Sequence, residues 1–232
     1  MLKIFLLPIF FSAFLLADSA YSQISDVPPF TGDTAGIVNG RPITRKDYTE
    51  MLSIVTGQMM QKKSGSLTGQ EILEAHRKTW ENLVNDAIVS DSIEKKGIIV
   101  TDAEVRSMLE NDPPLVLSRQ FTDSAGKFHK EDYLEAMHNP HNDSIVRILI
   151  TVAKPEMQKQ KFSNMLLASI TVNDEELWKE YKDQKGATRK KFESEKEELR
   201  KRKLLEKQQA FFVSWFASAK ANTKIIDYRT IK

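Results

Sequence analysis

The motif His138-Asn-Pro-His141 sets two imidazoles three positions apart, a spacing at which one helical face can offer two ligands to a metal ion. Pro140 breaks the helix that would align the rings, and no carboxylate stands at the offset of known zinc motifs. The segment therefore reads as a loop with two exposed histidines. His76 falls on an apolar helical face and reads as a partly buried packing residue. Asp112, Asp123 and Asp143 adjoin proline or serine, the habit of turn residues. No serine occupies a Gly-x-Ser-x-Gly elbow. Cysteine is absent, which excludes thiol catalysis, disulfides and Cys-ligated zinc or iron–sulfur sites. The nine glycines are never adjacent, and neither Walker nor dinucleotide spacing occurs. No residue is nominated for catalysis, for a metal or for a cofactor, and the chain is not expected to be an enzyme.

What the sequence offers instead is apolar surface. Met59 and Met60 interrupt the polar end of their helix. Flexible thioethers fill cores by default, and they also suit a promiscuous apolar binding surface. Phe211, Phe212, Trp215 and Phe216 place four aromatics within six positions, in two parallel rows at i,i+4 spacing. One row can pack on the helix bearing Trp80 and Leu83. The other needs a second neighbour, such as the Tyr133–Met137 region, a partner copy or a bound polypeptide. Phe212 and Phe216 are expected to be the more exposed pair. These six residues are the candidate polypeptide-binding set.

The elements that must carry them follow from local signals. In a chain of 232 residues, Lys3 and the apolar run from Ile4 to Ala17 read as a secretory leader, with small residues Ala20 and Ser22 before a cleavage point after residue 22. An uncleaved anchor is the alternative, although Asp18 ends the run short of the roughly 20 residues a membrane span needs. No cysteine follows, so a lipoprotein is excluded. The expectation is export into a periplasm without stable membrane insertion. Residues 23–35 read as a disordered lead-in. Asn39-Gly40 between Ile37-Val38 and Pro42-Ile43 reads as a tight hairpin. Thr44 is an N-cap with Asp47 three positions on, and a long helix runs from about Thr68 to Lys96, stopped by Gly97. Thr101 and Glu104 form a capping box. Beyond Pro155 the chain contains one glycine, Gly186, and no proline, which favours long helices, the last over about 188–222. From Arg189 to Lys207, 14 of 19 residues are charged. Nine basic and five acidic residues interleave there, and the net charge of the whole chain is only +2, so a solvated helix is expected and a nucleic-acid face is not. Lys224 to Ile231 is rich in strand formers.

Several of these segments resemble the N-terminal chaperone domain of the SurA/PpiD family: Val38 to Thr44, Trp80 to Ile88, Lys96 to Val105, Phe121 to Phe128 with Tyr133, and Ile170 to Leu177. Lys207 to Phe211 and Lys224 to Tyr228 resemble the returning C-terminal segment of that family, so the likeness runs in order over most of residues 36–230. The resemblance implies a mainly α SurA-N-like domain over 36–232, with a small β element pairing the N-terminal hairpin and a C-terminal strand. It also implies an extracytoplasmic holdase for unfolded secreted or outer-membrane proteins. Many relatives insert a parvulin prolyl isomerase before the returning segment. Here only ten residues separate Tyr181 from Phe192, so isomerase activity is not expected. A structural or adaptor protein of an envelope assembly, docking one partner, is the alternative, and a homodimer is compatible with either reading.

Overall fold

The computed structural model describes residues 30–63, 65–182 and 188–230. The leader expected over 1–22 lies outside them. The hairpin forms as anticipated: β1 (Thr34–Val38) and β2 (Arg41–Thr44) are antiparallel, with Val38 opposite Arg41. Asn39 and Gly40 both take positive φ, 50° and 85°, as a two-residue hairpin turn that follows strand twist requires. β3 (Ile225–Asp227) joins the other edge of β1, giving the order β2-β1-β3 and confirming the closure of the chain by its C-terminal strand.

Three capping boxes start the first helices. Thr44 caps α1 (Arg45–Lys62) with Asp47, Thr68 caps α2 (Gly69–Lys95) with Glu71, and Thr101 caps α3 (Asp102–Asn111) with Glu104. In each, the threonine hydroxyl accepts from the third backbone amide while the carboxylate returns to the cap amide, satisfying two donors that a helix start leaves open. Gly97, at φ 62°, lies just past the end of α2. After Pro113-Pro114 the chain resumes at once in a short helix, α4 (Leu115–Gln120), which sequence pattern alone does not indicate. Asp123 accepts the amides of Ala125 and Lys127, and Gly126 takes φ 82°, making the expected turn before α5 (Lys130–His138).

Helix α6 (Asp143–Leu167) runs on through Pro155. The proline side chain is exposed, on the side of the helix where the carbonyl left without its amide partner can be hydrated. Val146, Ile150 and Ala153 recur at helical spacing on the opposite face and are buried. They pack with Val100, Val105, Leu109, Tyr133 and Met137 into one core cluster.

The chain divides into two compact units. The first comprises residues up to Gln158 and those from Lys224 onward; the second, Lys159–Thr223, is inserted between them. The second unit contains the end of α6, α7 (Asp174–Tyr181) and the 33-residue α8 (Arg189–Ala221), close to the span expected for the last helix. Its own small core, Leu177, Tyr181 and Phe192, explains the division. Of the lead-in expected over 23–35, residues 23–29 lie outside the described residues, and residues 30–35 make defined contacts. Phe30 is buried with its ring edge-on to Tyr48 at 5.3 Å, Arg45 lies over its face, and β1 already begins at Thr34. An aromatic anchor and a strand give this end of the segment fixed contacts that its polar composition conceals.

Candidate functional site

In the second unit the aromatic row on α8 finds a neighbour that the sequence did not nominate. Trp215 packs edge-on to Phe162 of α6 at 5.2 Å and lies against Phe212 at 5.5 Å and Phe216 at 6.2 Å. Phe162 is fully buried, whereas Phe211, Phe212, Trp215 and Phe216 are all half-buried. Phe212 and Phe216 are therefore not set apart as an exposed pair. The open apolar positions on this helix are Leu205 and Val213, the latter 68% exposed. Met59 and Met60 lie in the first unit, in the last turn of α1, and are also half-buried. The six candidates thus fall into two groups on separate units.

The stronger apolar surface of the first unit is one that the sequence reading passed over. Ile145, Ile148 and Val152 of α6 are 56%, 62% and 47% exposed. Their spacing of three and four residues puts them on one face, opposite the buried Val146, Ile150 and Ala153. This part of α6 is apolar on both sides. The i, i+3, i+7 pattern is present in the sequence, but it merges with the core pattern one position away, so it is not separable without knowing which face is covered.

Electrostatics organise the second unit. Asp174 at the start of α7 takes both Lys196 and Arg200 of α8. Glu180 meets Lys203 at 2.6 Å, and Glu176 meets Lys207 at 2.9 Å. Lys207 also donates to the Thr171 carbonyl at 2.7 Å. Lys196, followed by Arg200, holds the Asp174 carboxyl below its usual range, and Glu180 raises Lys203. The charged helix is therefore solvated on one side and ion-paired to α7 on the other.

The histidines take different places. His138 lies 2.9 Å from Glu110, and His129 lies 3.0 Å from Asp123. His141 turns its Nδ1 to Asn139 at 3.1 Å. Among the described residues no three His, Cys, Asp or Glu side chains converge as metal ligands would. His76 is fully buried rather than partly so, and it is not simply a packing residue. The Tyr48 hydroxyl lies 3.1 Å from its Nδ1 and 3.3 Å from its carbonyl oxygen. Arg229, just beyond β3, donates to the same carbonyl at 3.3 Å, stacks over Trp80 at 4.4 Å and grips Asp227 through two hydrogen bonds of 3.0 and 2.9 Å. Burial, with the nearby guanidinium adding to it, lowers the His76 pKa, and burial raises that of Tyr48.

Among the described residues no helix is long and apolar enough to cross a membrane. No curated protein and no solved structure matches the chain. The SurA-like N-terminal domain family does match, over residues 1–137, which is more than half of the sequence. That match takes in the hairpin, the three capped helices and the Asp123 turn, which carried most of the resemblance read from the sequence, and by it the chain belongs to the SurA-like N-terminal domain family.

Proposed function

We propose that this protein is an extracytoplasmic, periplasmic holdase that binds unfolded secreted or outer-membrane polypeptides and has no prolyl isomerase activity. Family membership supports a chaperone relationship. The observation that carries the reading further is the open face Ile145–Ile148–Val152, with its rigid opposite side built into a core. A holdase needs apolar side chains that stay in water without collapsing, and a helix anchored by its other face supplies them. The absence of isomerase activity rests on chain length. Residues 182–188 are all that join α7 to α8, where relatives insert a catalytic domain. Lowering a prolyl barrier of about 18–20 kcal/mol needs a shaped pocket that such a connection has no residues to build.

The test is suppression of aggregation of a urea-diluted outer-membrane protein by the mature chain, compared with a variant carrying Ile145→Ser, Ile148→Ser and Val152→Ser. The expected result is protection by the parent and at least a fivefold loss in the variant at unchanged melting temperature. Equal protection by both would remove the α6 face from the function. The adaptor reading separates by breadth: a holdase binds many unrelated aromatic-rich peptides weakly, whereas an adaptor binds one or none.

A further inference from the structure

The C-terminal segment is held in the first unit by a buried contact in which Arg229 reaches both His76 and Trp80. We propose that His76 and Arg229 form a pH-sensitive latch on β3, in which acidification charges His76 beside the Arg229 guanidinium and frees residues 224–230 from the sheet.

The geometry leaves little room for a second cation. The Arg229 side chain is 5% exposed, and its Nη1 reaches the His76 backbone carbonyl. Its one carboxylate partner, Asp227, is engaged through both oxygens. From α1 the group facing His76 is Tyr48, a phenol; from the C-terminal segment the groups are Arg229 and Asp227; β1, with the sequence Thr-Ala-Gly-Ile-Val, offers no titratable side chain. A charged His76 would therefore face a cation and a neutral hydroxyl, with no free carboxylate among these groups. The depressed basicity of His76 agrees with this arrangement.

Besides this contact, β3 is tied to the first unit by backbone bonds. It pairs with three residues of β1; the Tyr228 amide donates to Ala35 at 3.0 Å, and Asn39 and Lys224 exchange two bonds of 2.9 Å. The sign follows from linkage. The latched state disfavours the proton, and the released state binds it near the ordinary histidine value of about 6.5. The latch is therefore at full strength above that pH, and its closing equilibrium weakens by at most about tenfold per pH unit below it.

Hydrogen exchange of the whole mature chain tests this, with protection corrected for the intrinsic pH dependence of exchange. The expected result is that the Tyr228 and Lys224 amides progressively lose protection between pH 6 and pH 5, by up to about tenfold per pH unit, while those of Val84 and Ile88 in α2 keep theirs. His76→Gln, which cannot charge, should give a flat profile for both. Equal loss in α2 and β3, or the same loss in His76→Gln, would overturn the latch. Should that variant fail to fold, the imidazole titration of the parent decides, since the chain has four histidines and the other three can be assigned by substitution. A midpoint that coincides with the loss of β3 protection supports the proposal. Titration of His76 with β3 still protected refutes it.

Discussion

Gly36 of β1 lies directly against the indole of Trp80, so that a β carbon on it would fall inside contact distance of both that ring and the Ile226 carbonyl. Three elements meet at this point: the central strand, the long second helix and the returning strand. Only a residue without a side chain lets them approach so closely. Gly36→Ala should destabilise the first unit by about 1–3 kcal/mol, because one of the obstructing atoms is backbone and cannot rotate aside. Thermal unfolding followed by circular dichroism checks this, and an unchanged midpoint would mean that the strands shift at no cost.

Removing residues 224–232 should cost the first unit more than that single methyl group does. The deletion takes away β3 and the Arg229 contacts with His76 and Trp80 together. Arg229→Ala alone should cost roughly 3 kcal/mol, since it removes the guanidinium's hydrogen bonds to Asp227 and to the buried His76 carbonyl together with its stacking on Trp80. Urea denaturation of both variants would show the effect as lower midpoints. Midpoints equal to the parent's would show that the hairpin, α1 and α2 are self-sufficient.

The second capping box should titrate unusually late. Lys63, with the Thr68 amide and hydroxyl, holds the Glu71 carboxyl down to about 2. A depressed acid contributes stability above its ordinary value of 4.5 and loses it as pH falls through the folded value, here between 4.5 and about 2. Carbon-detected NMR titration should place the Glu71 midpoint near the lower figure, and Lys63→Met should raise it toward the ordinary one. A parent midpoint above 4 would contradict the geometry.

In the second unit, Phe162→Ala should cost about 3 kcal/mol by emptying the site beneath Trp215. Faster hydrogen exchange in α7 and α8 would report it. Sodium chloride at 1 M, which shortens the screening distance to about 3 Å, should accelerate exchange in the same helices by weakening the Asp174, Glu176 and Glu180 pairs. Indifference of these helices to salt would assign their support to apolar packing, around Leu177, Tyr181 and Phe192 and beneath Trp215.

The features that could be read from sequence are the ones whose causes are local. Asn39-Gly40, Thr44 with Asp47, Thr101 with Glu104 and Gly97 each act within four residues, and all stand where their types placed them. The pairing of β3 was also legible, because strand formers after a long helix have few other uses. Arg229 was not, since its meeting with His76 joins positions 153 apart in the chain and no periodicity encodes it. Phe162 was missed for a similar reason: Pro155 concealed the continuity of the helix that carries it. The α6 face was hidden by its own core pattern, as hydrophobicity marks apolar side chains without saying which of them are covered.

The insertion of one unit within the other also sets an order on synthesis. The hairpin turn and the residue that seals it, Asn39 and Lys224, are 185 positions apart. At about 5–20 residues per second, the central strand waits some ten to forty seconds for its second neighbour. Throughout that interval β1 presents an open backbone edge, and Trp80 lacks the guanidinium that later covers it. A ribosome stalled between α6 and β3 would therefore hold a nascent chain that is itself in need of protection.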